Sequence, residues 1–126
     1  MPKTILVVDD DPAFLSALTP LLSDAGYATI TATDGEEALR KLESDSPVID
    51  AVIVDLALPK VGGFSVIGKI ARIQKRPLPL VAITGAYHDL YLEVAEYLGA
   101  RVSLRKPQPG KPLTPIVDAL AGLLPA

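Results

Sequence analysis

Three aspartates, Asp9, Asp10 and Asp11, directly follow the apolar run Ile5-Leu-Val-Val8, and a fourth, Asp55, ends a second such run, Ala51-Val-Ile-Val54. Thr84 closes the run that starts at Leu80, and Lys106 comes just after the run Val102–Arg105. Carboxylates held close together repel unless something offsets their charge. Hard oxygen ligands with access to water suit Mg²⁺, which keeps several waters and takes only one or two protein carboxylates. A hydroxyl and a cation facing such a site are the apparatus for a phosphoryl group: metal and lysine balance its charge, and the hydroxyl orients an oxygen. A carboxylate is also a possible nucleophile, and its product is an aspartyl phosphate.

Each of these residues has an ordinary alternative. Asp11 caps a helix, and Asp9 and Asp10 could do no more than that. A lone aspartate at a strand end is often a turn residue, Thr84 an ordinary strand residue, and a single lysine before a proline solvated surface. His88 and Tyr87 read as loop and helix-start residues. Lys69, Arg72, Lys75 and Arg76 read as a solvated helix end that also suits the helix dipole. What raises Asp9, Asp10, Asp55, Thr84 and Lys106 above these alternatives is where the elements must put them.

Two kinds of segment alternate. Short β-rich runs cover Thr4–Asp9, Ala28–Ala32, Ala51–Asp55, Leu80–Thr84 and Val102–Arg105. Between and after them lie helical stripes: Phe14, Leu18, Leu21 and Leu22; Ala38, Leu39 and Leu42; Phe64, Ile67, Ile70 and Ile73; Leu90, Val94 and Leu98; Ile116, Val117, Leu120 and Leu124. The punctuation agrees: Asp11 with Pro12 opens the first helix, Gly26 ends it, Asp34 and Glu37 form a capping box, and Gly99 ends the fourth helix. Pro20 is expected to kink helix one, and the prolines at 107, 109, 112 and 115 to delay helix five to around Pro112.

Nearly continuous apolar strands belong inside parallel sheets covered on both faces. Five strands alternating with five helices make a doubly wound α/β domain, (βα)₅. In such sheets ligands sit at the C-terminal strand edge where the strand order reverses. If the order is 2-1-3-4-5, strands one and three are neighbours there, and the aspartates, Thr84 and Lys106 share that edge.

Composition fits one such domain over residues 1–126, with 49% apolar and 21% charged residues in 126. The chain has no Cys and a single His, which excludes thiol catalysis and Cys- or His-cluster metal sites. A net charge of −3 argues against a nucleic-acid groove. No apolar run reaches membrane-span length and no signal-peptide core is present, so a soluble, cytoplasmic protein is expected.

The ordered set Ile5-Leu-Val-Val-Asp-Asp10, Val52-Ile-Val-Asp-Leu-Ala-Leu-Pro59 with Gly63, Ala82-Ile-Thr84, Gly99-Ala100 and Lys106-Pro107 resembles the receiver domain of two-component response regulators. The likeness extends over essentially the whole chain and is to single-domain, chemotaxis-type receivers. It implies the flavodoxin-like order 2-1-3-4-5. It implies that Asp55 accepts phosphate from a histidine kinase or phosphotransfer protein, and that Asp10 and Asp55 bind Mg²⁺ directly. Asp9 then helps mostly through water, the backbone carbonyl of Ala57 completes the ligands, and Thr84 and Lys106 contact the phosphoryl oxygens. Such a protein is a switch that docks to a downstream protein, not an enzyme beyond its own phosphorylation and dephosphorylation.

The chain departs from the family pattern in four places. Ser103 stands where receivers usually carry Tyr or Phe, the aromatic that swings inward as the Thr84 hydroxyl moves. Gly62 replaces the usual Asp, Gly85 the common Ala, and Gln108 a common aromatic. None removes a phosphorylation residue. The serine alters the readout instead, and Tyr87, after the freely turning Gly85, is expected to change burial in place of residue 103. Two rivals stand beside this reading. One is a phosphorylation-independent scaffold on the same fold, which Ser103 favours. The other is an aspartyl-intermediate hydrolase, which Ala57 disfavours because the general acid/base is usually there.

Overall fold

A computed structural model describes residues 2–44, 48–57, 62–73, 78–85 and 89–124. Five strands, β1 (Thr4–Val8), β2 (Ala28–Ala32), β3 (Ala51–Asp55), β4 (Leu80–Thr84) and β5 (Val102–Arg105), alternate with five helices. The helices are α1 (Pro12–Asp24), α2 (Gly35–Glu43), α3 (Gly63–Ile73), α4 (Asp89–Leu98) and α5 (Thr114–Leu123). All strand pairs are parallel, in the order β2-β1-β3-β4-β5.

The period-2 alternation of the strands divides the core between two layers. Ile5, Val7, Ile53, Val81 and Ile83 face α1 and α5, where they meet Phe14, Leu18, Leu22, Ile116 and Leu120. Leu6, Val8, Val52, Val54 and Ala82 face α2, α3 and α4, where they meet Ala38, Val66, Ile67, Ile70 and Ala95. Each large aliphatic side chain buried this way contributes roughly 1.5–3 kcal/mol. This two-sided burial is why β3 and β4 carry an unbroken apolar run. The edge strand β5 is only half-buried.

The expected caps form. Asp11 accepts from the Ala13 amide at 3.0 Å, and Asp34 from the Glu37 amide at 2.8 Å. Gly26 and Gly99 take positive φ of 95° and 131°. Helix α1 continues through Pro20; Ser16 and Pro20 are both exposed, so the backbone bond that proline removes lies on the solvent side.

Two boundaries and one buried position differ from the sequence reading. Strand β1 ends at Val8, not Asp9, although the Asp9 amide still donates to the Ala32 carbonyl at 3.0 Å. Helix α5 starts at Thr114, two residues after the expected Pro112. Upstream of it, a turn through Gly110 (φ 85°) is closed by the Lys111 amide on the Gln108 carbonyl at 3.0 Å. In α4 Ala95 is fully buried, whereas Val94 and Leu98 of the expected stripe are half-buried, because a small side chain lets the helix approach the sheet closely.

Candidate functional site

The β1–β3 register pairs Val8 with Val54, so Asp9 and Asp55 stand at adjoining strand ends where the strand order reverses. Asp9 is 0% and Asp55 5% exposed, whereas Asp10 is exposed. The three carboxylates offer one oxygen each, all within 4.8 Å of one another.

Both buried carboxylates are oriented by the same local device. The Asp11 amide donates to Asp9 Oδ1 at 2.9 Å, and the Ala57 amide donates to Asp55 Oδ1 at 2.9 Å. Each is an aspartate bonded by the amide two residues on, a turn that aspartate forms readily. The second oxygens of the pair face Lys106, whose Nζ lies 2.8 Å from Asp9 Oδ2 and 3.5 Å from Asp55 Oδ2.

Lys106 reaches them because β5 hands its chain over at the same edge. The Lys106 amide donates to the Thr84 carbonyl at 2.7 Å, directly after the Thr84–Arg105 register pair. Thr84 itself is buried at the end of β4. The lysine side chain is 17% exposed, and its Nζ stands 4.3 Å from the centroid of the Phe14 ring.

The charges act on one another. Burial lifts the Asp9 carboxyl above its ordinary value, with Asp55 adding repulsion; the hydrogen bonds from Lys106 and the Asp11 amide oppose this without cancelling it. Burial pulls the Lys106 ammonium down, but its hydrogen bond to Asp9 and the charges of Asp9, Asp55 and Asp11 outweigh that and hold it above an ordinary lysine.

The donor set fits Mg²⁺. Hard carboxylate oxygens converge from three residues, and the exposed Asp10 leaves one side open to the waters this ion retains. Ala57 is exposed next to Asp55, at the same loop.

Gly63, at the start of α3, has a role that sequence reasoning missed. A Cβ there would stand 2.4 Å from the Asp55 carbonyl oxygen and 2.5 Å from the Leu56 Cα. The helix therefore abuts the backbone that carries Asp55, an approach only glycine permits. The sequence signal was its place in the motif after Pro59. The Phe14 ring over Lys106 was also missed, since Phe14 read as one more core residue of the α1 stripe.

Of the residues assigned to the switch, Ser103 is half-buried on β5 and its hydroxyl donates to the Glu96 carboxylate of α4. It lies opposite Ala82, two positions before Thr84. Tyr87, with His88, lies outside the described residues. Gly85, Gln108 and Lys106 line part of a 510 Å³ pocket beside Thr84. A Cβ on Gly62 or Gly85 would meet open space, so neither is required by packing.

A sequence model described as "Response regulator receiver domain" matches residues 5–118. The chain is 38% identical over 107 residues to the alkaline phosphatase synthesis transcriptional regulatory protein PhoP of Bacillus subtilis, covering 85% of this chain and 43% of the relative. It is 32% identical over 120 residues to the transcriptional regulatory protein AfsQ1 of Streptomyces coelicolor, covering 95% of this chain and 51% of the relative. The chain thus spans about half the length of these relatives. Among solved structures, the CheX–CheY–BeF3–Mg complex from Borrelia burgdorferi contains a chain that matches with a TM-score of 0.87 at 26% identity, covering 98% of this chain and 90% of that one. The chemotaxis response regulator CheY4 of Vibrio cholerae matches with a TM-score of 0.84 at 27% identity, covering 98% and 100%.

Proposed function

The chain belongs to the response regulator receiver domain family, and from that premise we propose that it is a phosphorylation-controlled switch whose phosphoacceptor is Asp55. The observation that carries this reading is the pairing of Asp55 with Asp9. Both are buried at the reversal of strand order, both have Oδ1 tied to a backbone amide, and both present Oδ2 toward one lysine.

In this reading Asp10 and Asp55, with the Ala57 carbonyl, would hold Mg²⁺, with Asp9 helping mostly through water; bound there, the ion would supply positive charge to offset that of the phosphoryl oxygens. An Asp55 carboxylate oxygen forms the new bond to phosphorus. The bond from phosphorus to the donor breaks, and the donor leaves with its electron pair. Thr84 and Lys106 take the phosphoryl oxygens, and Lys106 holds the added negative charge after transfer.

The donor is a histidine kinase or a histidine phosphotransfer protein, and the output is docking to a downstream protein. No part of this reading requires nucleic acid or membrane contact. Among the described residues no helix is long and apolar enough to cross a membrane. We take residues 1–126 as one receiver unit acting in the cytoplasm. It catalyses only its own phosphorylation and dephosphorylation.

Incubation with acetyl phosphate and Mg²⁺, followed by intact-mass measurement, tests this. One added phosphoryl group is expected in the parent and none in Asp55→Asn. Undiminished labelling of Asp55→Asn places the acceptor elsewhere. A parent that takes no label under any small donor favours the phosphorylation-independent scaffold, for which Ser103 in place of an aromatic is the motive.

A further inference from the structure

The Lys106 ammonium touches more than carboxylates. It lies 4.3 Å from the centroid of the Phe14 ring, well inside the ~6 Å reach of a cation–π contact. Phe14 is 7% exposed and packs in the same cluster as Ile5, Val7, Leu18 and Ile83, so its ring is fixed by the core and not by the lysine. It sits in the first turn of α1, three residues after the capping Asp11. The helix that carries the ring therefore starts at the aspartate loop itself.

The ring supplies something the carboxylates cannot. A divalent cation held by Asp10 and Asp55 beside Asp9 would offset the charge of the oxygens that Lys106 now faces and set a like charge beside it. A strongly hydrated ammonium on a flexible four-carbon stem then gains by moving out to water. The negative face of an aromatic ring attracts an ammonium whether or not those oxygens are occupied. An aliphatic side chain of similar volume would fill the same core space without that attraction.

We propose that Phe14 is a positioning residue for Lys106, its ring holding the ammonium at the site when a metal ion occupies the carboxylates, so that the phosphoryl group meets a cation already in place. This rests on the reading of Asp55 as phosphoacceptor and goes beyond it. Phe14 makes no contact with the phosphoryl group in this role; it acts through Lys106.

The test uses the full chain in saturating Mg²⁺, as parent, Phe14→Leu and Phe14→Tyr, each also in a Lys106→Ala background. The phosphoryl mimic beryllofluoride is titrated and binding is followed by backbone amide shifts. Phe14→Leu is expected to bind it roughly two- to fivefold more weakly, the factor a partly exposed cation–π contact supports. Phe14→Tyr is expected to match the parent, since it keeps the aromatic face toward the ammonium. In the Lys106→Ala background Phe14→Leu is expected to have no further effect. Should Phe14→Leu not fold, Phe14→Met takes its place. Equal binding by Phe14→Leu and parent overturns the proposal, and so does an equal loss in both backgrounds or a failure of Phe14→Tyr to rescue. A separate readout needs no phosphoryl chemistry: the Lys106 ε-methylene protons of the parent are expected to be shifted upfield by the ring in Mg²⁺. Unshifted protons overturn the positioning role even where beryllofluoride binds. A parent that binds no beryllofluoride, with those protons still shifted, overturns the Asp55 reading and the claim that the ring serves a phosphoryl group.

Discussion

The Lys106 ammonium stands nearer to Asp9 than to Asp55, at 2.8 Å against 3.5 Å. Its main partner is thus the deepest carboxylate of the site, and the second oxygen of Asp55 is the less tightly held of the two. One lysine, carried past the end of β5, thereby spans the ends of β1 and β3. It offsets the repulsion between two carboxylates buried in one small volume.

Removing the charge of Asp9 should stabilise the metal-free fold. Its carboxyl is raised above 3.8, chiefly by burial, so the folded state binds the proton more tightly than the unfolded chain. Ionised Asp9 therefore weakens the fold above the raised value and has no such effect below 3.8. Asp9→Asn is expected to melt about 2–6 °C higher than the parent at pH 7 without metal, with the gain shrinking as pH falls toward the ordinary carboxylate range. Melting curves from pH 7 to pH 4 check the sign; a gain that grows on acidification contradicts it.

Lys106 has the opposite linkage. Its ammonium is raised above 10.5, so its pairing stabilises the fold fully below that pH, and the contribution is lost as pH rises through the raised value. Lys106→Ala should lower stability by about 1–3 kcal/mol at pH 7, because Asp9 is left buried without its cation. Urea unfolding at pH 7 and at the highest pH the parent tolerates should show the difference narrowing. The same variant should still take a phosphoryl group, with smaller amide shifts around β5 and α4 than the parent. Identical shifts would remove the lysine from the response.

Asp10 is the exposed member of the acidic set. Asp10→Ala should fold at least as stably as the parent, bind Mg²⁺ on the order of tenfold more weakly, and phosphorylate more slowly. A metal titration that overlays the parent's would exclude it from the ligands.

Gly63→Ala should act on the site through the backbone. Its new Cβ would meet the Asp55 carbonyl oxygen and the Leu56 Cα at 2.4 and 2.5 Å, neither of which is a flexible side-chain end. A loss of about 1–3 kcal/mol is expected from the forced shift, together with slower phosphorylation at Asp55. Gly62→Ala, with open space around its Cβ, is the control. Equal stability of the two variants would mean that α3 is free to back away.

The elements and their layering are legible in the chain alone. Apolar runs with period 2, helical stripes, and caps at Asp11, Asp34, Gly26 and Gly99 are written in neighbouring residues. They follow from local sterics and from which face must leave water. Given parallel strands, they also bring Asp9, Asp55, Thr84 and Lys106 to one edge. What those side chains do to each other depends on packing between elements. That Lys106 favours Asp9, that Phe14 puts its ring on the same ammonium, that Gly63 abuts the Asp55 carbonyl and that Ser103 turns to Glu96 on α4 are contacts between different elements. They depend on strand register, helix approach and rotamer, none of which leaves a periodic trace in the chain.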